Sequence, residues 1–203
     1  KQAEDKTAAM GARYLTYWDL EYPEMLRMIY DAPVGIFILG EIPQLPCMGI
    51  VGTRQPTAYG KKMTITLTTA LIKAGFCIVS GFARGIDTLA HRTVHKYKGS
   101  TIAVLGNGLD VCYPGKNQKL LNLLKENGAF ISEFIPGTKP DAVNFPKRNR
   151  IISGLSNGVL LIEAGKKSGA IITALNALYQ NREVLPCPAK LILQIQMEQT
   201  GSF

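Results

Sequence analysis

CMGIVGTRQPTAYGKKMTITLTTALIKAGFCIVSG, residues 47–81, carries a strand–helix–strand pattern. Two short apolar runs, at 47–51 and 76–79, bracket a helix-like stretch over about 57–74. The runs do not alternate polar with apolar, as strands must when only one face is covered; they suit parallel strands buried on both faces. The same alternation continues through apolar runs at 101–105, 129–132, 158–162 and 183–186. Helical patterns separate them at about 85–98, 115–127, 147–156 and 168–180. Repeated β–α units predict an extended Rossmann-like, doubly wound α/β fold, with a mostly parallel sheet and helices on both faces.

Around this core, residues 13–46 read as a helix-and-strand preface, with a helix at 22–29 and a strand at 35–39, packed on the sheet edge. Residues 1–12 have no apolar period and read as a tag or disordered terminus. The Rossmann-like unit is expected to run over 47–190, and the tail 191–203 differs from it in character.

The chain has 203 residues, 46% of them hydrophobic and 19% charged, which marks a globular protein rather than a disordered one. Its net charge of +8 is uneven: residues 1–31 carry −2 and the remainder +10. A basic body favours a polyanionic partner, with nucleic acid ahead of a membrane surface. Cys47, Cys77, Cys112 and Cys187 form no CxxC pair and read as reduced thiols of a cytoplasmic protein. No apolar run reaches the ~18 residues of a membrane span.

In an open α/β sheet, ligands bind beyond the carboxyl ends of the strands. Here those exits carry Gly52-Thr53-Arg54, Ser80-Gly81-Phe82-Ala83-Arg84, Gly106-Asn107-Gly108 with Tyr113-Pro114-Gly115, Lys139 with FPKRNR at 145–150, and Glu163 through Gly169. Glycine lets backbone N–H groups approach an anion, and helix N-termini add a favourable dipole. The result is a cationic rim with several phosphate-sized positions.

Named nucleotide motifs fail. Gly106-Asn107-Gly108 begins a GxGxxG, but position 111 is Val. Gly60-Lys61-Lys62 lacks the spacing and hydroxyl of a Walker A loop, and the Ser80 turn is no nucleophile elbow. His91 and His95 lie four apart without further ligands, so packing outweighs a metal site. Asp87, Asp110 and Glu163 stand at strand ends, where accepting N–H bonds from their loops is favoured over catalysis. Phe82 and Phe145 lie beside Arg84 and Arg148; rings interleaved with cations suit the bases and backbone of a single strand.

VGTRQPTAYG, IVSGFARGIDTLAH, TIAVLGNGLDVCYP, ISEFIPGTKP, FPKRNRIISGLS and EAGKKSGAIITA occur in order. This series resembles the DNA-processing protein A family, DprA or Smf, from about residue 22 to 188. The resemblance implies a non-enzymatic protein of natural transformation that binds and protects single-stranded DNA and loads the RecA recombinase. Expected partners are single-stranded DNA, double-stranded DNA more weakly, RecA and a second copy of the chain; no cofactor, metal or membrane is expected. The DNA-binding set is Gly52, Arg54, Gly81, Phe82, Arg84, Lys139, Phe145, Lys147, Arg148, Arg150, Ser168 and Gly169. Its cations are expected to neutralise successive phosphates along one groove.

The alternative from the enzyme class is a nucleoside-monophosphate phosphoribohydrolase on a related fold. That group carries a PGGxGTxxE loop, whereas the comparable exit here reads EAGKKSGAIITA, with no PGG and no acid after Thr173. A last expectation concerns assembly. Ile171, Ile172, Leu175, Leu178 and Tyr179 form an apolar stripe on the final helix, beside a sheet edge, and predict a two-fold interface.

Overall fold

The computed structural model describes residues 2–124, 128–165 and 168–187, with side chains from residue 6 onward. Its elements are, in chain order, α1 (Gln2–Ala9), β1 (Ala12–Thr16), α2 (Glu24–Arg27), β2 (Gly35–Gly40), β3 (Cys47–Gly52), α3 (Ala58–Lys73), β4 (Cys77–Ser80) and α4 (Ile86–Lys96). They continue with β5 (Thr101–Leu105), a 3₁₀ turn (Gly115–Asn117), α5 (Gln118–Leu124), β6 (Gly128–Ser132), α6 (Asn144–Gly154), β7 (Gly158–Ile162), α7 (Gly169–Tyr179) and β8 (Glu183–Pro186).

One eight-stranded sheet has the order β1-β2-β6-β5-β4-β3-β7-β8. The six strands from β6 to β8 run parallel, and β1 and β2 join antiparallel at the β6 edge. Strand order reverses between β3 and β7, which are hydrogen-bonded neighbours although four elements of helix and three strands separate them in the chain. A crevice opens beyond the carboxyl ends at such a reversal.

Both sheet faces are buried, as the unbroken apolar runs require. Val51, Val79, Val104, Ile131 and Leu161 point to the face covered by α2, α6 and α7. Ile50, Ile78, Leu105, Phe130 and Ile162 point to the other, under α3, α4 and α5. Alternate residues of one strand thus feed two cores.

The amino-terminal reading needs revision. Residues 2–9 form a helix, and Ala12–Thr16 pairs with Gly35–Leu39, so ordered structure begins well before residue 13. A five-residue edge strand with one buried side chain, Leu15, leaves little apolar signal to read. The preface continues the sheet itself, and Leu26 of α2, with Ile29 just beyond that helix, packs against Gly154 of α6. The tail 191–203 lies outside the described residues.

Candidate nucleic-acid interface

Gly52 closes β3 where no side chain fits: a Cβ there would stand 2.0 Å from the Ile162 carbonyl oxygen and 2.6 Å from Ile86 Cγ1. The chain therefore turns out of β3 tight against β7, and Thr53 N–H donates to the Glu163 carbonyl at 2.7 Å. The Glu163 carboxylate accepts from Thr57 N–H at 2.9 Å and from the Thr57 hydroxyl. Thr57 in turn caps α3, accepting from Gly60 N–H at 3.2 Å. These bonds fix one rim of the crevice and present Arg54 to solvent.

The opposite rim is α6, which starts at Asn144, three residues earlier than its sequence pattern predicts. That shift matters. With Phe145 already helical, residues 145, 148, 149 and 152 share one face, and all four line the cavity. Lys147 and Arg150 fall on other faces. Lys147 is exposed, whereas Arg150 pairs with Glu133 at 2.6 Å and with Asp31 at 3.3 Å. Lys147, Arg148 and Arg150 therefore do not form one phosphate-tracking row; helical periodicity splits them.

Between the rims lies a cavity of about 620 Å³, bordered by Gly52, Arg54, Tyr113, Phe145, Ser168 and Gly169 with other residues. Ser168 caps α7, accepting from Ala170 N–H at 3.2 Å, so an eleven-residue helix aims its N-terminus at the space. Asn149 steadies this end by donating from Nδ2 to the Gly169 carbonyl at 3.0 Å. Phe145 is half-buried, with the guanidinium carbons of Arg54 and Arg148 at 5.7 and 5.9 Å from its ring centre. Tyr113, 41% exposed, tilts against the same ring with centroids 5.6 Å apart.

Arg148 is only 3% exposed. Its Nη1 donates to the Gly81 carbonyl at 2.5 Å and to the Val104 carbonyl, tying together the exits of β4 and β5. Burial lowers its pKa to about 10, partly offset by Asp87, so it stays cationic at neutral pH. Burial raises the Asp87 carboxyl, which Arg148 and the amides of Ala83 and Gly81 pull back down. His91 lies deeper, Nδ1 2.9 Å from Thr101 Oγ1, and burial lowers its pKa to about 3. It is a packing histidine. Asp110 accepts from Gly137 N–H at 2.7 Å. Of the three strand-end carboxylates, only Asp87 serves its own loop, as expected; Asp110 and Glu163 each accept from a neighbouring one.

Phe82 departs from its predicted role. The turn after β4 holds it at φ 59°, and its ring is fully buried against Phe130 and His91. A ring in that position offers no stacking face. Gly81 lies under Asp87 and Arg148 rather than on the surface. Lys139 and Arg84 are exposed but border other ground than this cavity. Lys166 and Lys167 lie outside the described residues. The binding set read from the sequence left out both Tyr113 and Asn149, which line the cavity. Tyr113 stood in the third strand exit, in an aromatic-Pro-Gly turn, and its position there was the available signal.

A doubly wound α/β domain with a cation- and aromatic-lined cleft at its strand reversal is thus defined. A model of the family described as DNA recombination-mediator protein A matches residues 13–201. Protein Smf of Synechocystis is 46% identical over 182 residues, covering 87% of this chain and 46% of the relative. DNA processing protein DprA of Bacillus subtilis is 45% identical over 174 residues, covering 84% of this chain and 59% of the relative. Among solved structures, DprA from Streptococcus pneumoniae superposes with a TM-score of 0.86 at 36% identity, over 95% of this chain and 68% of that one. DNA processing protein A from Helicobacter pylori, in a structure concerned with its single-stranded DNA binding mode, gives 0.79 at 30% identity, over 93% and 88%. The chain belongs to the DNA recombination-mediator protein A family. It spans about half the length of the curated relatives it matches.

Proposed function

We propose that this chain binds single-stranded DNA in the switch-point cleft, without catalysis, as part of a protein that protects incoming strands in natural transformation and loads RecA onto them. The observation that carries the reading is the Phe145 ring standing at a cavity between Arg54 and Arg148, opposite the N-terminus of α7. Bases need flat faces and the backbone needs fixed positive charge; this wall supplies both. Double-stranded DNA is expected to bind more weakly. Arg54, Lys139 and Lys147, exposed and outside any ion pair among the described residues, are the proposed backbone contacts. Arg148 holds the wall from beneath.

A homodimer completes the proposal. On α7 the small residues Ala170, Thr173, Ala174 and Ala177 cover the sheet. Leu175, Leu178 at 57% and Tyr179 at 84% exposure stand outside, with Ile171 and Ile172 beside them and Leu185 on the edge strand β8. An apolar helix flank next to a strand edge is surface that a two-fold contact buries. Two clefts on one particle would let a single strand engage both. A cytoplasmic location accords with the free thiols and with the absence, among the described residues, of any helix able to cross a membrane.

Gel shifts with single- and double-stranded oligonucleotides at two salt concentrations test this function. Preferential, salt-sensitive retardation of the single strand is expected; no shift at either salt would reject it. Incubation with AMP or CMP should release no free base, and release would restore the phosphoribohydrolase reading.

A further inference from the structure

Phe145 borders a second cavity as well as the first. This second cavity, of about 380 Å³, lies at the exits of β4 and β5 and is bordered by Gln55, Arg84, Gly106, Asn107 and Pro114 with others. Arg54, Ala83, Tyr113 and Phe145 border both cavities. The rings of Tyr113 and Phe145, 31° from parallel, form one aromatic wall common to both spaces. Gly106 lets the backbone close on the wall: a Cβ there would stand 2.7 Å from Phe145 Cδ1. Of the cations bordering these spaces, Arg54 alone is common to both, Arg148 belonging to the first and Arg84 to the second. Arg84 is exposed, and no carboxylate pairs with it among the described residues.

We propose that the second cavity is a subsite for the neighbouring nucleotide of the bound strand. Two consecutive nucleotides share the Tyr113–Phe145 wall with one base in each cavity. Arg54 neutralises the phosphodiester that joins them, and Arg84 the phosphate beyond. The inference rests on the single-stranded DNA reading above. The chemistry recognised is two flat π-systems linked by one anion: an aromatic wall common to two cavities, and one cation reaching both, match that pattern. Each cavity has the volume of a small-ligand site, so neither demands that both nucleotides crowd into one space.

Competition against fluorescein-labelled dT20 tests it, with 5′-phosphorylated thymidine, pdT, and the dinucleotide pdTpdT as competitors. The dinucleotide should displace the probe at a concentration at least about tenfold lower than pdT, the gain of one further stacked base. Replacing either base of the dinucleotide by an abasic residue should remove that gain. Arg84→Ala, with its fold checked by circular dichroism, should shrink the pdTpdT-to-pdT ratio to less than about threefold. If dT20 binds and depends on Arg54, yet pdT and pdTpdT compete equally or not at all, the second subsite is wrong and the cleft reading stands. A ratio unchanged in Arg84→Ala also overturns it. If dT20 itself does not bind, both readings fall.

Discussion

Asp87 and Arg148 both close on Gly81, where a Cβ would lie 2.7 Å from the carboxylate Oδ2 and 2.8 Å from the guanidinium Nη2. The two buried groups attract each other without forming an ion pair, and the bonds of Arg148 to the Gly81 and Val104 carbonyls make it a structural cation beneath the wall on which Phe145 stands. Arg148→Met takes away the chief cation acting on Asp87 and leaves the Gly81 and Val104 carbonyls without its N–H donors, at an expected cost of about 1–3 kcal/mol near pH 7.

The same variant carries a pH signature. Burial already raises the folded-state pKa of Asp87 above its unfolded value, and losing Arg148 raises it further. The folded variant then binds a proton that the unfolded chain does not, so its stability relative to the parent should recover as pH falls from 7 toward about 4. Arg148 also helps to lower the pKa of His91, so its loss raises that pKa and acts in the same direction. Urea unfolding of both proteins at several pH values measures this; a deficit constant with pH would mean that Asp87 is not the group left uncompensated.

Phe82→Ala and Phe145→Ala separate core from surface. The first empties a fully buried ring position and should cost about 3–5 kcal/mol of stability. The second should cost about 1–3 kcal/mol of single-strand affinity through a lost stacking face. Calorimetric melting and fluorescence titration read the two effects. Stability loss from Phe145→Ala with intact DNA binding would return that ring to a packing role.

These two rings also mark how far the sequence could be read. All six strands from β3 to β8 were legible, because residues buried on both faces leave continuous apolar runs. The cleft was legible as a set of strand exits. What one dimension could not display was direction. Phe82 and Phe145 have similar neighbours, Arg84 and Arg148, yet a left-handed backbone at Phe82 turns its ring inward. Lys147, Arg148 and Arg150 are near neighbours in sequence, yet the helix starts at Asn144 and sends them to solvent, to the floor of the wall and to Asp31 and Glu133. The strand β1 escaped because a half-exposed edge strand needs few apolar residues.

Leu178→Glu tests assembly. Because Leu178 lies outside the face that α7 turns to the sheet, the variant should fold with stability within about 0.5 kcal/mol of the parent. It should sediment as a monomer, binding long oligonucleotides more weakly while short ones bind nearly as before. A parent protein that is monomeric at tens of micromolar would contradict the interface.

Exposed cations at the strand-reversal cleft, Arg54 foremost, are proposed to hold a single strand by its backbone. Fluorescence anisotropy of labelled dT20 across a salt series tests this most directly, comparing the parent with Arg54→Ala. With about four to six phosphates neutralised, log Kd plotted against log salt should have a slope of magnitude roughly 3–4. Arg54→Ala should bind several-fold more weakly with a slope lower by about 0.7, and with unchanged melting. A parent slope near zero, or an Arg54→Ala variant that binds as the parent does, would contradict the account.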